Sequence, residues 1–120
     1  MFTHSVKQAR GNVTVVNLSG KMTVDEGSSK VVHDLVRELA QKGHRNILLN
    51  LQDISYVDSS GIGELFGCVT TMQRQDGVLK LSNPNERVSE LIRLTKLNSV
   101  AEVFEDESTA IVSFPKTSAA

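Results

Sequence analysis

Tyr56-Val57-Asp58-Ser59-Ser60-Gly61-Ile62-Gly63 is the stretch that decides the fold. In front of it, Ile47-Leu48-Leu49-Asn50-Leu51 is a nearly continuous apolar run that reads as a buried strand. Behind it, Ile62, Leu65, Phe66, Val69 and Met72 recur at i, i+3, i+4, i+7 and i+10, one face of an amphipathic helix. The pattern predicts a strand, then a loop, then the first turn of a helix, with Asp-Ser-Ser-Gly at the join. The first N–H groups of a helix have no intrahelical partners, and that end carries partial positive charge. Asp or Ser caps such an end, and a phosphate is accepted there without unfolding the turn.

A cap alone accounts for Asp, Ser and a small residue. Two hydroxyls followed by Gly-Ile-Gly exceed what a cap needs. Gly61 and Gly63 each weaken a first helical turn by about 0.5–1 kcal/mol relative to Ala. They also strip side chains from the surface around Ser59, which lets another protein approach the backbone. The combination points to an exposed hydroxyl presented to a partner.

Working outward, the rest of the chain alternates in period. Phe2 to Arg10 reads as a first strand, Gly11-Asn12 as a turn, and Val13 to Leu18 as a second strand rich in β-branched residues. Together they predict an antiparallel hairpin that Gly20 ends. From about Val24 to Lys42 the period becomes helical, with Val31, Val32, Leu35, Val36 and Leu39 as the stripe and Gly43 as the stop. After the second helix, roughly Ser60 to Gln75, Asp76-Gly77 is a turn and Val78 to Leu81 a short strand. Asn83-Pro84-Asn85 opens a third helix, with Pro at an early position where its missing N–H does no harm. Val88, Leu91, Ile92 and Thr95 form its buried side, widened by Leu94 and Leu97. Val100 to Phe104 is a final strand. Asp106 or Ser108 could cap a last helix holding Ala110 to Phe114, although Ile111 to Phe114 would also suit a strand. The order β-β-α-β-α-β-α-β-(α) predicts a single α/β domain over residues 1–114. Its sheet is mixed and mostly parallel, with four or five strands, right-handed crossovers and three or four helices. Residues 115–120 read as a flexible tail.

Composition narrows the function. With 120 residues there is one domain with room for a core. A net charge of −1 gives no support to a nucleic-acid surface or an anionic membrane. No run approaches the roughly 20 apolar residues of a membrane span. Met1-Phe2-Thr3-His4 lacks a basic region followed by an apolar stretch, so no secretion signal is expected. The single cysteine, Cys68, fits a reducing cytoplasm.

Catalytic constellations are missing. His4, His33 and His44 are scattered, without metal-ligand spacing, and read as solvated surface residues. Ser59 lacks the Gly-x-Ser-x-Gly elbow. Gly61-Ile62-Gly63 is too short for a dinucleotide or phosphate-loop fingerprint. Cys68 reads as a packing residue of the second helix. Glu102, Glu105, Asp106 and Glu107 read as a solvated acidic turn. No enzyme, metal or cofactor is expected.

Val57-Asp58-Ser59-Ser60-Gly61-Ile62-Gly63 resembles the signature of STAS domains, and most of all that of the bacterial anti-sigma-factor antagonists. The preceding Leu51-Gln52-Asp53-Ile54-Ser55-Tyr56-Val57 matches as well, and the element order fits over nearly the whole chain. The resemblance implies a phosphorylation switch without catalysis of its own. Ser59 would be the phosphoacceptor. The unphosphorylated chain would bind an anti-sigma factor that is also a serine kinase, freeing a sigma factor, and a serine phosphatase would reset the switch. Asp58, Ser59, Ser60, Gly61, Ile62 and Gly63 would form the contact surface, joined by the segment after the second strand. Many antagonists carry Gly-x-(Leu/Ile)-Asp there. This chain reads Gly20-Lys21-Met22-Thr23-Val24-Asp25, so Thr23 stands at the usual carboxylate place and Asp25 follows two residues later. STAS-like proteins also serve as regulatory subunits of transporter ATPases and as parts of signalling assemblies, which is the alternative the resemblance leaves.

Overall fold

In the computed structural model, which describes residues 1–25 and 28–115, the β-branched run after Asn12 becomes the spine of a five-stranded sheet. The strands are β1 (Thr3–Ala9), β2 (Val13–Met22), β3 (Asn46–Val57), β4 (Val78–Ser82) and β5 (Val103–Phe104). They lie in the order β1-β2-β3-β4-β5. β1 pairs antiparallel with β2, and every other pair is parallel. The helices are α1 (Ser28–Gln41), α2 (Ser59–Arg74), α3 (Glu86–Leu94) and α4 (Glu107–Ser113). Each parallel step moves the same way across the sheet, so successive right-handed crossovers put α1, α2 and α3 on one face. α4 covers the other.

The two faces of the sheet divide the core. Val16, Leu18, Ile47, Leu49 and Leu51 join Val36, Leu65, Met72 and Ile92 in the large cluster beneath α1, α2 and α3. Val13, Val15 and Leu48 point the other way and pack with Ala110 and Phe114. β3 is apolar on consecutive residues because it is covered on both sides. Lys80, on the α4 face of β4, is buried. Its Nζ donates to the Ser113 carbonyl at 3.1 Å and hydroxyl at 3.0 Å, and pairs with Glu102 at 2.8 Å. The Phe104 and Phe114 rings flank it at 5.5 and 5.0 Å.

Several expectations need correction. Gly20 does not end β2. It adopts φ 115°, and the strand continues to Met22 across a register shift between Gly20 and Lys21. A bulge of this kind bends a strand without ending it. The loop expected between Leu51 and Asp58 is strand: Ser19 to Met22 pairs with Asp53 to Val57, and that ladder holds a polar segment extended. Val24 and Asp25 form a turn outside α1, whose described span is Ser28–Gln41, and Val31 is exposed. Pro84 precedes the N-cap of α3, which is Asn85. Leu94 is 72% exposed, whereas Leu97 is buried. Of Val100 to Phe104 only the last two residues are strand. The Ile111 to Phe114 ambiguity resolves as helix through Ser113. The acidic turn is tied down: Asp106 caps α4, and Glu107 accepts from Asn50 at 2.9 Å and from Lys7 at 3.1 Å. His33 and His44 are not free in solvent. His33 Nδ1 bonds the Glu64 carboxylate at 2.9 Å and Nε2 lies 2.9 Å from the Thr71 hydroxyl, while His44 Nδ1 lies 2.7 Å from Thr14 Oγ1. Within 115–120, only Pro115 is among the described residues.

Candidate functional site

The end of β3 and the start of α2 meet at Asp58. Register places Lys21 beside Tyr56 and Met22 beside Val57, so the segment leaving β2 runs next to the one entering α2. Asp58 joins the two. Its N–H donates to the Met22 carbonyl at 3.1 Å. Oδ1 accepts from the Gly61 N–H at 3.0 Å and from the Ser60 hydroxyl at 2.6 Å. Oδ2 accepts from the Val24 N–H at 3.1 Å. The Ser60 hydroxyl, then the Gly61 and Val24 N–H groups, hold the Asp58 carboxyl below its ordinary value. The side chain is ionised at neutral pH and fills the positive end of α2. One of the donors at that end, the Gly61 N–H, already serves Asp58.

The cap separates the two serines. Ser60 is half-buried and spends its hydroxyl on Asp58. Ser59, first residue of α2, is exposed, and its hydroxyl has no hydrogen-bond partner among the described residues. The two glycines separate as well. A Cβ on Gly61 would collide with the Met22 carbonyl oxygen and lie 2.7 Å from Val57 Cγ1, whereas one on Gly63 would meet nothing within 4 Å. Gly61 lets α2 seat against β2, and Gly63 lies open beside the turn. Ile62 is buried in the core. Of the two candidates after β2, Thr23 is buried and Asp25 is exposed.

Two contributors escaped the sequence reading. The Val24 tether is a main-chain donor, which no side-chain pattern reveals. Asn85 caps α3 through the Val88 N–H at 2.8 Å and also donates to the Ile54 carbonyl of β3 at 3.1 Å. Its position ahead of Glu86 signals the cap, but nothing in the sequence signals the bridge. Cys68 is on the buried face of α2, and loss of solvation pushes its thiol up to about 12. Among the described residues no group of three or more His, Cys, Asp or Glu side chains is placed to hold a metal, and no helix is long and apolar enough to cross a membrane.

This five-stranded sheet with its strand-capped serine turn is that of a STAS domain. The family profile matches residues 4–110, and the chain belongs to that family. Within it, the chain belongs with the anti-sigma factor antagonists. It is 33% identical over 98 residues to the anti-sigma-B factor antagonist of Bacillus subtilis, covering 82% of this chain and 86% of that one. Its fold is similar to an anti-sigma factor antagonist from Mycobacterium paratuberculosis, with TM-score 0.82, 16% identity and coverage of 94% and 93%. It is similar too to the Bacillus cell fate determinant SpoIIAA in its phosphorylated form, with TM-score 0.70, 19% identity and coverage of 92% and 97%.

Proposed function

We propose that this chain is a cytoplasmic anti-sigma factor antagonist switched by phosphorylation of Ser59, with no catalysis of its own. The observation that carries this is the division of labour in the cap: Asp58 holds Ser60 and leaves the Ser59 hydroxyl exposed and without a hydrogen bond among the described residues. Unphosphorylated, the turn presents Ser59, Gly63 and Asp25 to an anti-sigma factor with serine kinase activity, with Asp25 as the surface carboxylate in place of buried Thr23. The partner's release of a sigma factor follows. A serine phosphatase restores the bound form. The existence of a phosphorylated form of SpoIIAA supports the reading.

A phosphate brings about −1.5 to −2 charges. At Ser59 it stands next to the ionised Asp58 carboxylate that already accepts the Gly61 N–H, so like charge sits beside the new dianion and it stands out into the interface. Losing about 3 kcal/mol of binding weakens affinity more than a hundredfold. The test uses the serine-kinase anti-sigma factors of the protein's own source, purified singly. With ATP and Mg²⁺, one of them transfers a single phosphate that fragmentation mass spectrometry maps to Ser59. By calorimetry Ser59→Ala binds like the unmodified protein and Ser59→Asp binds over a hundredfold more weakly. Equal affinities for the two variants would overturn the switch.

A further inference from the structure

The end of the sheet opposite the switch turn carries a cleft that the function proposed above does not use. It measures about 290 Å³ and is lined by Gln8 of β1, by Asn12, and by Gly43, His44, Arg45 and Asn46 where α1 gives way to β3. Asn46 starts β3 and Val57 ends it, so twelve residues of strand, roughly 35 Å, separate this cleft from Ser59. Its walls are held by the fold. Gln8 Nε2 donates to Thr14 Oγ1 at 2.9 Å, and the same hydroxyl lies 2.7 Å from His44 Nδ1. Asn46 is 3% exposed.

No carboxylate side chain lines the cleft, and three of its side chains bring uncommitted donors. The Gln8 amide nitrogen lies 3.2 Å from His44 Nδ1 and can only donate. Nδ1 is therefore the acceptor of the ring, and its proton sits on Nε2. That N–H has no partner among the described residues. Arg45 is exposed and gives one N–H to the Ala40 carbonyl at 2.9 Å. It forms no ion pair among the described residues, so the rest of its fork is unspent. Asn46 Nδ2 is buried without a hydrogen-bond partner among the described residues. Buried donors in native folds are nearly always bonded, and an orphan of this kind marks a missing acceptor. The negative end of α1 is already answered. The Leu39 carbonyl accepts from the Lys42 and His44 N–H groups, and the Ala40 carbonyl from the Gly43 N–H and from Arg45.

We infer that this cleft binds a small oxyanion, the phosphate or carboxylate group of a small molecule, independently of the Ser59 switch. A neutral, acceptor-bearing ligand would leave the Arg45 charge unanswered, and a cation would meet only donors. Phosphate and carboxylate both offer the paired oxygens that a guanidinium fork recognises. Arg45 takes such a pair, and the His44 Nε2–H and the Asn46 amide supply donors beside it. Thr14 and Gln8 hold the His44 ring in place before any ligand arrives, so little ordering is left for the anion to drive. The volume suits a group of this size carried on a short stem.

The experiment records amide NMR spectra of the whole chain while inorganic phosphate or, separately, acetate is added, with sodium chloride holding the ionic strength constant. The Gly43, His44, Arg45 and Asn46 signals should shift and saturate, with a Kd of about 1 mM or tighter for at least one of the two anions. The anion that binds more tightly names the ligand class. Arg45→Glu should weaken that binding at least tenfold, and Arg45→Lys, which keeps the charge but loses the fork, by about threefold. Arg45 is exposed, so signals away from the cleft should stay those of the parent and report an intact fold. Ser59→Asp should titrate like the unmodified protein. No saturable shift at these four residues up to about 50 mM of either anion would overturn the site. So would equal binding by Arg45→Glu, or binding that Ser59→Asp abolishes, which would place the anion at the switch turn. None of these outcomes bears on the affinity for an anti-sigma factor, so the function proposed above stands or falls separately.

Discussion

Gly61→Ala and Gly63→Ala should change stability in opposite directions, although the two positions are two residues apart in the same helical turn. In an exposed helix Ala is favoured over Gly by about 1 kcal/mol. At Gly63 nothing lies within 4 Å of the new Cβ, so that preference is realised and the domain gains about 0.5–1 kcal/mol. At Gly61 the new Cβ collides with the Met22 carbonyl oxygen and crowds Val57 Cγ1 at 2.7 Å and Met22 Cβ at 3.0 Å. Overpacking of this kind costs about 1–3 kcal/mol. A backbone carbonyl cannot rotate away as a flexible side chain can, and this one accepts the Asp58 N–H at 3.1 Å. Moving it loses about another 1 kcal/mol. Set against the helix preference, the net loss is about 2 kcal/mol, which in a domain of this size lowers Tm by roughly 10 °C. Urea unfolding followed by circular dichroism, with unchanged m, measures both variants. A Gly61→Ala protein as stable as the parent would refute the reasoning, since it would mean that α2 does not need a bare backbone against β2.

Lys80→Met should cost about 1–2 kcal/mol, because it keeps the aliphatic stem between Phe104 and Phe114 and loses only the polar contacts. Lys80→Ala should cost about 3 kcal/mol through the cavity, and equal losses in urea melts would show that packing plays no part. Cys68 should react with a thiol reagent at about pH 8 only as fast as the domain unfolds, since its thiol is buried and pushed up to about 12. A labelling rate that stays constant when urea is added would contradict this. Glu107 is held below its ordinary 4.5, first by the Asn50 amide and then by Lys7, so its contribution is complete above that value and is lost as pH falls through the lowered one. Urea midpoints from about pH 6 down to about pH 3 should therefore fall less steeply for Glu107→Gln than for the parent.

The order and type of the elements were legible because three apolar helical stripes and the runs at Val13, Ile47 and Val78 carry different periods. What was lost lay where tertiary contacts overrule local pattern. Gln52 to Val57 has the polarity of a loop, yet a backbone ladder with Ser19 to Met22 keeps it in β3. Leu94 has the spacing of a core residue, yet α3 ends there and turns it to solvent. His33 looked like a solvated residue because its partners, Glu64 and Thr71, lie more than thirty positions away. Long-range pairing of this sort leaves no mark on a local window.

The candidate site shows the same boundary at finer scale. Sequence places Asp58, two serines and two glycines at a helix start, and each pair is chemically alike along the chain. Helix phase sets the members apart. Successive residues turn by about 100° around the axis. Ser59 therefore points into solvent while Ser60 folds back onto the Asp58 carboxylate, and Gly61 faces Met22 while Gly63 faces solvent. One capping carboxylate fixes that phase, and through the Val24 N–H it also fixes the neighbouring segment that carries Asp25. The exposed hydroxyl and the open glycine then flank that cap, and the exposed carboxylate follows the residue that it tethers. A phosphate on Ser59, as proposed, would add its charge to a surface whose cap already carries the Asp58 carboxylate.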